Sequence, residues 1–151
     1  EAGCNSRLDE LQAAILRRAF LPRLDAWTER RREIARAYIE GIDHPLIEVP
    51  GAPPGSESCW HLFPVLAPSG RKHELMAHLR QAGIRTAEHY PAALFEQPAM
   101  KRHVFELAAG GCPAALQFCA RQVSLPMQPY LDDDEVTRVT AACNNWNLSR
   151  G

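Results

Sequence analysis

Apolar residues set the first pattern in this chain. Leu8, Leu11 and Ile15 recur at intervals of three and four residues, which places them on one face of a helix. Ser6 followed by Asp9 fits the start signal in which a hydroxyl accepts a free backbone N–H. The same period carries on through Leu24, Trp27, Ile34, Ala35, Tyr38 and Ile42, while Arg30, Arg31, Arg32 and Arg36 fall mostly elsewhere. Residues 7 to about 41 are therefore expected to be helical. A break or kink is expected at Pro22, which has no N–H to give and clashes with the preceding turn. Gly41 marks the helix end.

Beyond Gly41 the period shortens. "PLIEVP" reads as a short strand, "GAPPGSES" as a loop, and "CWHLFPVLAP" as the clearest strand segment. Pro64 inside it points to an edge or a bulge. "SGRKHELMAHLRQAGI" reads as a helix stopped at Gly83, with Leu75, Met76 and Leu79 as core positions. "IRTAEHYP" is a further strand running into a loop. "PAMKRHVFELAAGG" is a short helix or turn, "CPAALQFCARQ" a helix, "VSLPM" a brief strand and "YLDDDEVTRVTAACNNW" a terminal helix. Asp132 to Glu135 put negative charge at the start of that last helix, where it complements the dipole. A divalent cation site is the weaker reading, since no Gly-centred calcium loop accompanies the cluster. This order predicts an α+β fold, a long lead-in helix followed by a small mostly antiparallel sheet covered by helices. Two parts are expected: a connector helix region over 1–41, kinked near Pro22, and a small α+β domain over 42–151.

Composition narrows the function. Seventeen basic residues against eighteen acidic ones leave a net charge of −1, which argues against a nucleic-acid binder driven by phosphate contacts. No apolar run approaches the ~18 residues needed to span a bilayer, so no membrane partner is expected, and no signal peptide is expected either. Five cysteines, an odd number with no C-x-x-C pair, point to reduced thiols and a cytoplasmic setting rather than a disulfide framework. Six histidines form no i,i+4 pair, and no metal site is expected. The arginine run beside Glu29 and Glu33 reads as a solvated helix face in preference to an anion patch. No G-x-S-x-G elbow occurs, which removes the main hydrolase signature.

The chemistry comes from longer blocks. "GCNSRLDELQAAIL", "LDAWTERRREIARAY", "CWHLFPV", "GIRTAEHYP", "QPAM" and "VSLPMQPYLDDDEV" follow one another in the order and spacing of the DegT/DnrJ/StrS family, which the chain resembles along nearly its whole length. These are pyridoxal 5'-phosphate (PLP) sugar aminotransferases of the aspartate aminotransferase fold, fold type I. The resemblance is to the C-terminal portion alone, so the 42–151 part corresponds to the family's C-terminal small domain. The Schiff-base lysine is then expected upstream of residue 1, and no catalytic residue is expected within this chain. The two lysines present, Lys72 in "GRKHEL" and Lys101 in "AMKRHV", do not match that lysine's context. Lys72 is expected at a surface helix start and Lys101 in a polar turn.

The resemblance implies roles for six residues. Asn5 matches the family Asn that reaches across a homodimer interface to the neighbour's PLP phosphate, and Arg7 matches the Arg that lines the same composite site. An amide N–H₂ and a guanidinium both suit a phosphate. Trp60 and His61 match the W-H pair and His89 and Tyr90 the H-Y-P block, near the entrance for the sugar nucleotide. Taken alone, a strand His beside a Trp is more often a satisfied structural residue than a ligand. Ala93 and Phe95 stand about where relatives carry a second Pro and a His, and Cys4 where they carry a larger residue. The implied reaction moves an amino group from an amino donor, glutamate, to a keto-sugar nucleotide. Two alternatives stand beside it: a free-standing binding or dimerisation domain without chemistry, and part of a sugar dehydratase that uses pyridoxamine phosphate.

Overall fold

A computed structural model describes residues 6–102, 105–107 and 110–147. The first helix, α1, spans Glu10–Ile15, and its N-cap is Asp9, whose carboxylate accepts the Gln12 N–H at 2.7 Å. The expected cap at Ser6 therefore gives way to Asp9, a charged acceptor that also suits the positive end of the helix. A π-helical turn over Leu16–Phe20 and a 3₁₀ turn over Leu21–Arg23 follow before α2, Leu24–Gly41, begins. Pro22 sits in the 3₁₀ turn, where a residue that gives no N–H does least damage to the ladder. No residue from Ser6 to Leu24 is buried; the core starts with Ile34, Ala35 and Tyr38 of α2.

The sheet is smaller than the pattern suggests. Strand β1, Phe63–Leu66, pairs antiparallel with β2, Gln122–Leu125, with Phe63 opposite Leu125 and Pro64 opposite Ser124. The two other expected strands contribute one antiparallel bridge each: Glu48 to Leu66 on the outer side of β1, and Ala87 to Ser124 on the outer side of β2. Leu66 exchanges both backbone hydrogen bonds with Glu48. Pro64, two residues along, turns its missing N–H to that same side, where no strand pairs with it.

Helices cover one face of this pair. Phe63, Val65, Val123 and Leu125 form a single cluster with Ile34 and Tyr38 of α2, with Leu75 and Leu79 of α3 (Lys72–Gln81), and with Val136, Val139 and Cys143 of α5 (Asp133–Asn144). The Tyr38 hydroxyl donates to the Pro126 carbonyl at 2.9 Å, so the buried ring keeps its polar tip satisfied. Helix α5 starts on a capping box, Asp132 accepting the Glu135 N–H at 2.7 Å while Glu135 accepts the Asp132 N–H at 3.1 Å. Asp133 instead ties α5 to α2 through Arg30, 2.7 Å away. Gly41 lets α2 end hard against α5: a Cβ there would lie 2.8 Å from Thr140 Cγ2. Asn144 then donates to the Gly41 carbonyl and accepts the Asp43 N–H, satisfying groups that the helix end leaves open. The remaining helix, α4 (Pro113–Arg121), buries no residue and leaves Leu116 and Phe118 exposed.

Candidate functional site

The other face of β2 holds polar groups. Side chains alternate along a strand, so Gln122 and Ser124 point away from the helical cluster. Both are buried all the same, and buried polar groups need partners. Gln122 accepts the His89 N–H through Oε1 at 2.9 Å and donates through Nε2 to Ser124 Oγ at 2.6 Å. Ser124 Oγ lies 3.0 Å from His89 Nδ1. The His89 ring is thus pinned by its backbone and by one nitrogen, and among the described residues Nε2 has no partner. Tyr90 stands beside it, exposed, with its ring edge-on to the imidazole at 5.7 Å. Tyr90, Ala92, Leu94 and Gln97 line an apolar groove of about 400 Å³.

Next to His89 in sequence is Glu88, half-buried and paired with a buried lysine. Lys72, expected at the surface, is 7% exposed. Its ammonium meets the Glu88 carboxylate and donates to the Cys119 carbonyl at 2.8 Å. A lysine at the first position of α3 reaches inward because the end of α4 and the 87–90 segment close over it with an acceptor each. This pair, like Gln122 and Ser124, escapes a reading of periodicity. The available signals are a strand whose alternate residues are polar, "QVSL", and a carboxylate next to the H-Y-P block.

Trp60 and His61 lie elsewhere. They precede β1 at its Phe63 end, whereas His89 follows Ala87 toward the Gln122 end of β2. The Trp60 ring packs on Phe63 at 5.2 Å, half-buried against the core, and its backbone takes φ of 46°. His61 is exposed. The four residues expected on the substrate side therefore fall at opposite ends of the strand pair. Arg7 is exposed, with no ion-pair partner among the described residues. Asn5 and Cys4 lie outside the described residues, as does the side chain of Lys101.

The arginine run is largely occupied. Arg30 pairs with Glu33 and Asp133, Arg32 with Glu57 and Glu29, and Arg36 with Glu29. Among the described residues Arg31 alone of the four arginines has no ion-pair partner. Among the described residues, no three His, Cys, Asp or Glu side chains are grouped to hold a metal ion, and no helix is long and apolar enough to cross a membrane.

Residues 1–144 match the DegT/DnrJ/EryC1/StrS aminotransferase family, and the chain belongs to that family. It is 39% identical over 145 residues to a dTDP-3-amino-3,4,6-trideoxy-alpha-D-glucose transaminase of Streptomyces venezuelae, covering 95% of this chain and 37% of that protein. A UDP-2-acetamido-2-deoxy-3-oxo-D-glucuronate aminotransferase of Pseudomonas aeruginosa is 37% identical, over 95% of this chain and 38% of its own length. Among solved structures, DesV of S. venezuelae superposes with a TM-score of 0.84 at 39% identity, covering 95% of this chain and 38% of that one. A family member from Brucella abortus gives 0.82 at 33% identity, over 93% and 36%. The chain thus spans well under half the length of the relatives it matches. The family is one of aminotransferases, which are transferases, and the S. venezuelae and P. aeruginosa relatives are by name aminotransferases of nucleotide sugars.

Proposed function

We propose that this chain is the C-terminal part of a PLP-dependent aminotransferase that moves an amino group from glutamate to a keto-sugar nucleotide, and that it works as a homodimer. The observation that carries this reading is the family match over residues 1–144, set against a coverage of only 37% of the S. venezuelae relative. Lys72, locked between Glu88 and the Cys119 carbonyl, has no free amine to offer an aldehyde. In this reading the lysine that anchors the cofactor belongs to the longer protein, as the resemblance implies, since neither Lys72 nor Lys101 stands in that lysine's sequence context. When bound, PLP supplies the electron sink that transamination requires.

What the chain contributes is recognition. Arg7 is exposed and without an ion-pair partner among the described residues, which fits a guanidinium directed at a phosphate. Asn5 stands beside it in sequence and shares that role in this reading. His89 offers a hydrogen bond from a ring held on β2, and Tyr90 an exposed hydroxyl; both suit sugar or diphosphate oxygens. His61 and Trp60, at the other end of β1, line the same entrance only if the rest of the protein and the partner subunit close around them.

The test is to read the frame upstream of the Glu1 codon, express the whole open frame and assay it with glutamate and dTDP- or UDP-linked keto sugars. An amino-sugar nucleotide and 2-oxoglutarate are expected in equal amounts. An upstream frame with no PLP-lysine segment would sink the proposal. So would a stoichiometric borohydride-fixed PLP adduct on Lys72 or Lys101 of this chain alone.

A further inference from the structure

The hydrogen bonds around His89 have a direction, and that direction can be worked out one proton at a time. A backbone N–H only donates, so the Gln122 atom that meets the His89 N–H at 2.9 Å must be the amide oxygen. That fixes the amide and leaves its N–H₂ facing Ser124 Oγ at 2.6 Å. The serine oxygen therefore accepts from Gln122. Its one proton needs an acceptor, since Ser124 is only 4% exposed. Among the described residues the hydroxyl makes no hydrogen bond to a backbone carbonyl; its only two partners are Gln122 and His89. Among the described residues, the one remaining neighbour of the hydroxyl is His89 Nδ1, at 3.0 Å.

We infer that Gln122 and Ser124 are positioning residues that hold neutral His89 as a single tautomer, with Nδ1 accepting from the serine hydroxyl and the proton carried on Nε2. The relay starts at the backbone of His89 and returns to its ring. The opposite tautomer would place Nδ1–H against the serine oxygen and leave a buried hydroxyl proton with no acceptor. That arrangement is disfavoured on the order of tenfold or more. The outward nitrogen is consequently a hydrogen-bond donor. His89 is committed to ligand atoms that accept: a keto or hydroxyl oxygen lone pair, or a diphosphate oxygen. A ligand presenting only donors at that place finds no partner. This specificity rests on the reading of His89 as a substrate-facing residue, while the tautomer itself does not depend on it.

Ring-nitrogen NMR on the ¹⁵N-histidine-labelled chain tests the inference, at an alkaline pH where imidazoles are neutral, with no substrate added. The His89 signals are assigned by their loss in His89→Gln. One tautomer is expected, with the proton on Nε2 and Nδ1 shifted as an acceptor. In Ser124→Ala, the pattern moves toward an exchanging mixture, and Ser124→Thr, which keeps the hydroxyl, restores it. A mixture or an Nδ1–H tautomer in the unsubstituted chain overturns the proposal. An unchanged spectrum in a folded Ser124→Ala does so too. The unsubstituted spectrum decides the matter even if the alanine variant fails to fold. Because no substrate is present, failure here leaves the aminotransferase reading standing. Failure of the activity assay leaves the measured tautomer as it is.

Discussion

Lys72 shows how much one side chain can depend on its partners. Its ammonium is nearly sequestered, and the Glu88 carboxylate and the Cys119 carbonyl are what make that burial tolerable. Removing one member of a fully buried pair strands the other charge, at about 3–5 kcal/mol, and the partly exposed Glu88 carboxylate makes that range the upper limit here. Lys72→Met should therefore lower stability by up to roughly that amount in urea unfolding. Replacing both, with Lys72→Met and Glu88→Leu, should recover most of the loss, because two apolar groups leave no charge stranded. A double variant no more stable than the single one would mean that the salt bridge is not the source of the penalty. Nothing in the spacing of "GRKHELMAHL" separates this lysine from an ordinary solvated one. The acceptors that bury it arrive from segments 16 and 47 residues further along the chain.

At the scale of elements, the seam where α2, α5 and the strand pair meet carries two acidic groups that stay protonated. Burial pushes the Cys143 thiol up to about 12 from an ordinary 9.0. It also raises the Tyr38 phenol above its ordinary 10.0, with smaller contributions from the charges of Cys143 and Glu135. Both groups are neutral when protonated, so the folded chain keeps protons that the unfolded chain releases. Stability from this source is complete below about pH 9 and falls as pH rises toward 12. Thermal melts across that interval should show Tm dropping, with Cys143 adding about 1.4 kcal/mol per pH unit to the slope. Cys143→Ala should flatten the curve. A wild-type Tm that holds steady through the window would show that the thiol is reached by solvent. Other features of these elements were legible in advance. The acidic start of α5 and the Gly83 helix stop rest on neighbours close in sequence, and the β1 and β2 segments stood out as short apolar runs, although what they pair with, Phe63 with Leu125 and Leu66 with Gln122, lies far along the chain. The strands expected at "PLIEVP" and "IRTAEHYP" shrank to single bridges, because a strand's length depends on the distant partner it meets.

Across the whole molecule, apolar surface is divided unevenly. From α2 onward the chain closes a core around Ile34, Phe63, Leu79 and Val123, whereas the lead-in segment leaves Leu8, Leu11, Ile15, Leu16, Phe20 and Leu21 open. Periodicity shows which residues share a face but not what covers it, and among the described residues nothing buries these six. The candidate site divides in the same way: His89 was singled out by its block, but Gln122 and Ser124 were not, since their value lies in contacts made across 33 and 35 residues. The division gives a paired expectation. Leu79→Ala removes a side chain with no exposure and should cost about 2–5 kcal/mol. Leu11→Glu replaces a leucine that is 72% exposed and should change the stability of this chain by no more than about 0.5 kcal/mol. If the chain is part of the homodimeric enzyme proposed above, the ranking should narrow there, because a face that large needs a cover, and Leu11→Glu should then lower both Tm and the fraction of dimer seen by sedimentation. If Leu11→Glu destabilises this chain by itself as much as Leu79→Ala does, the lead-in segment folds back on its own core, and the open face is not an interface.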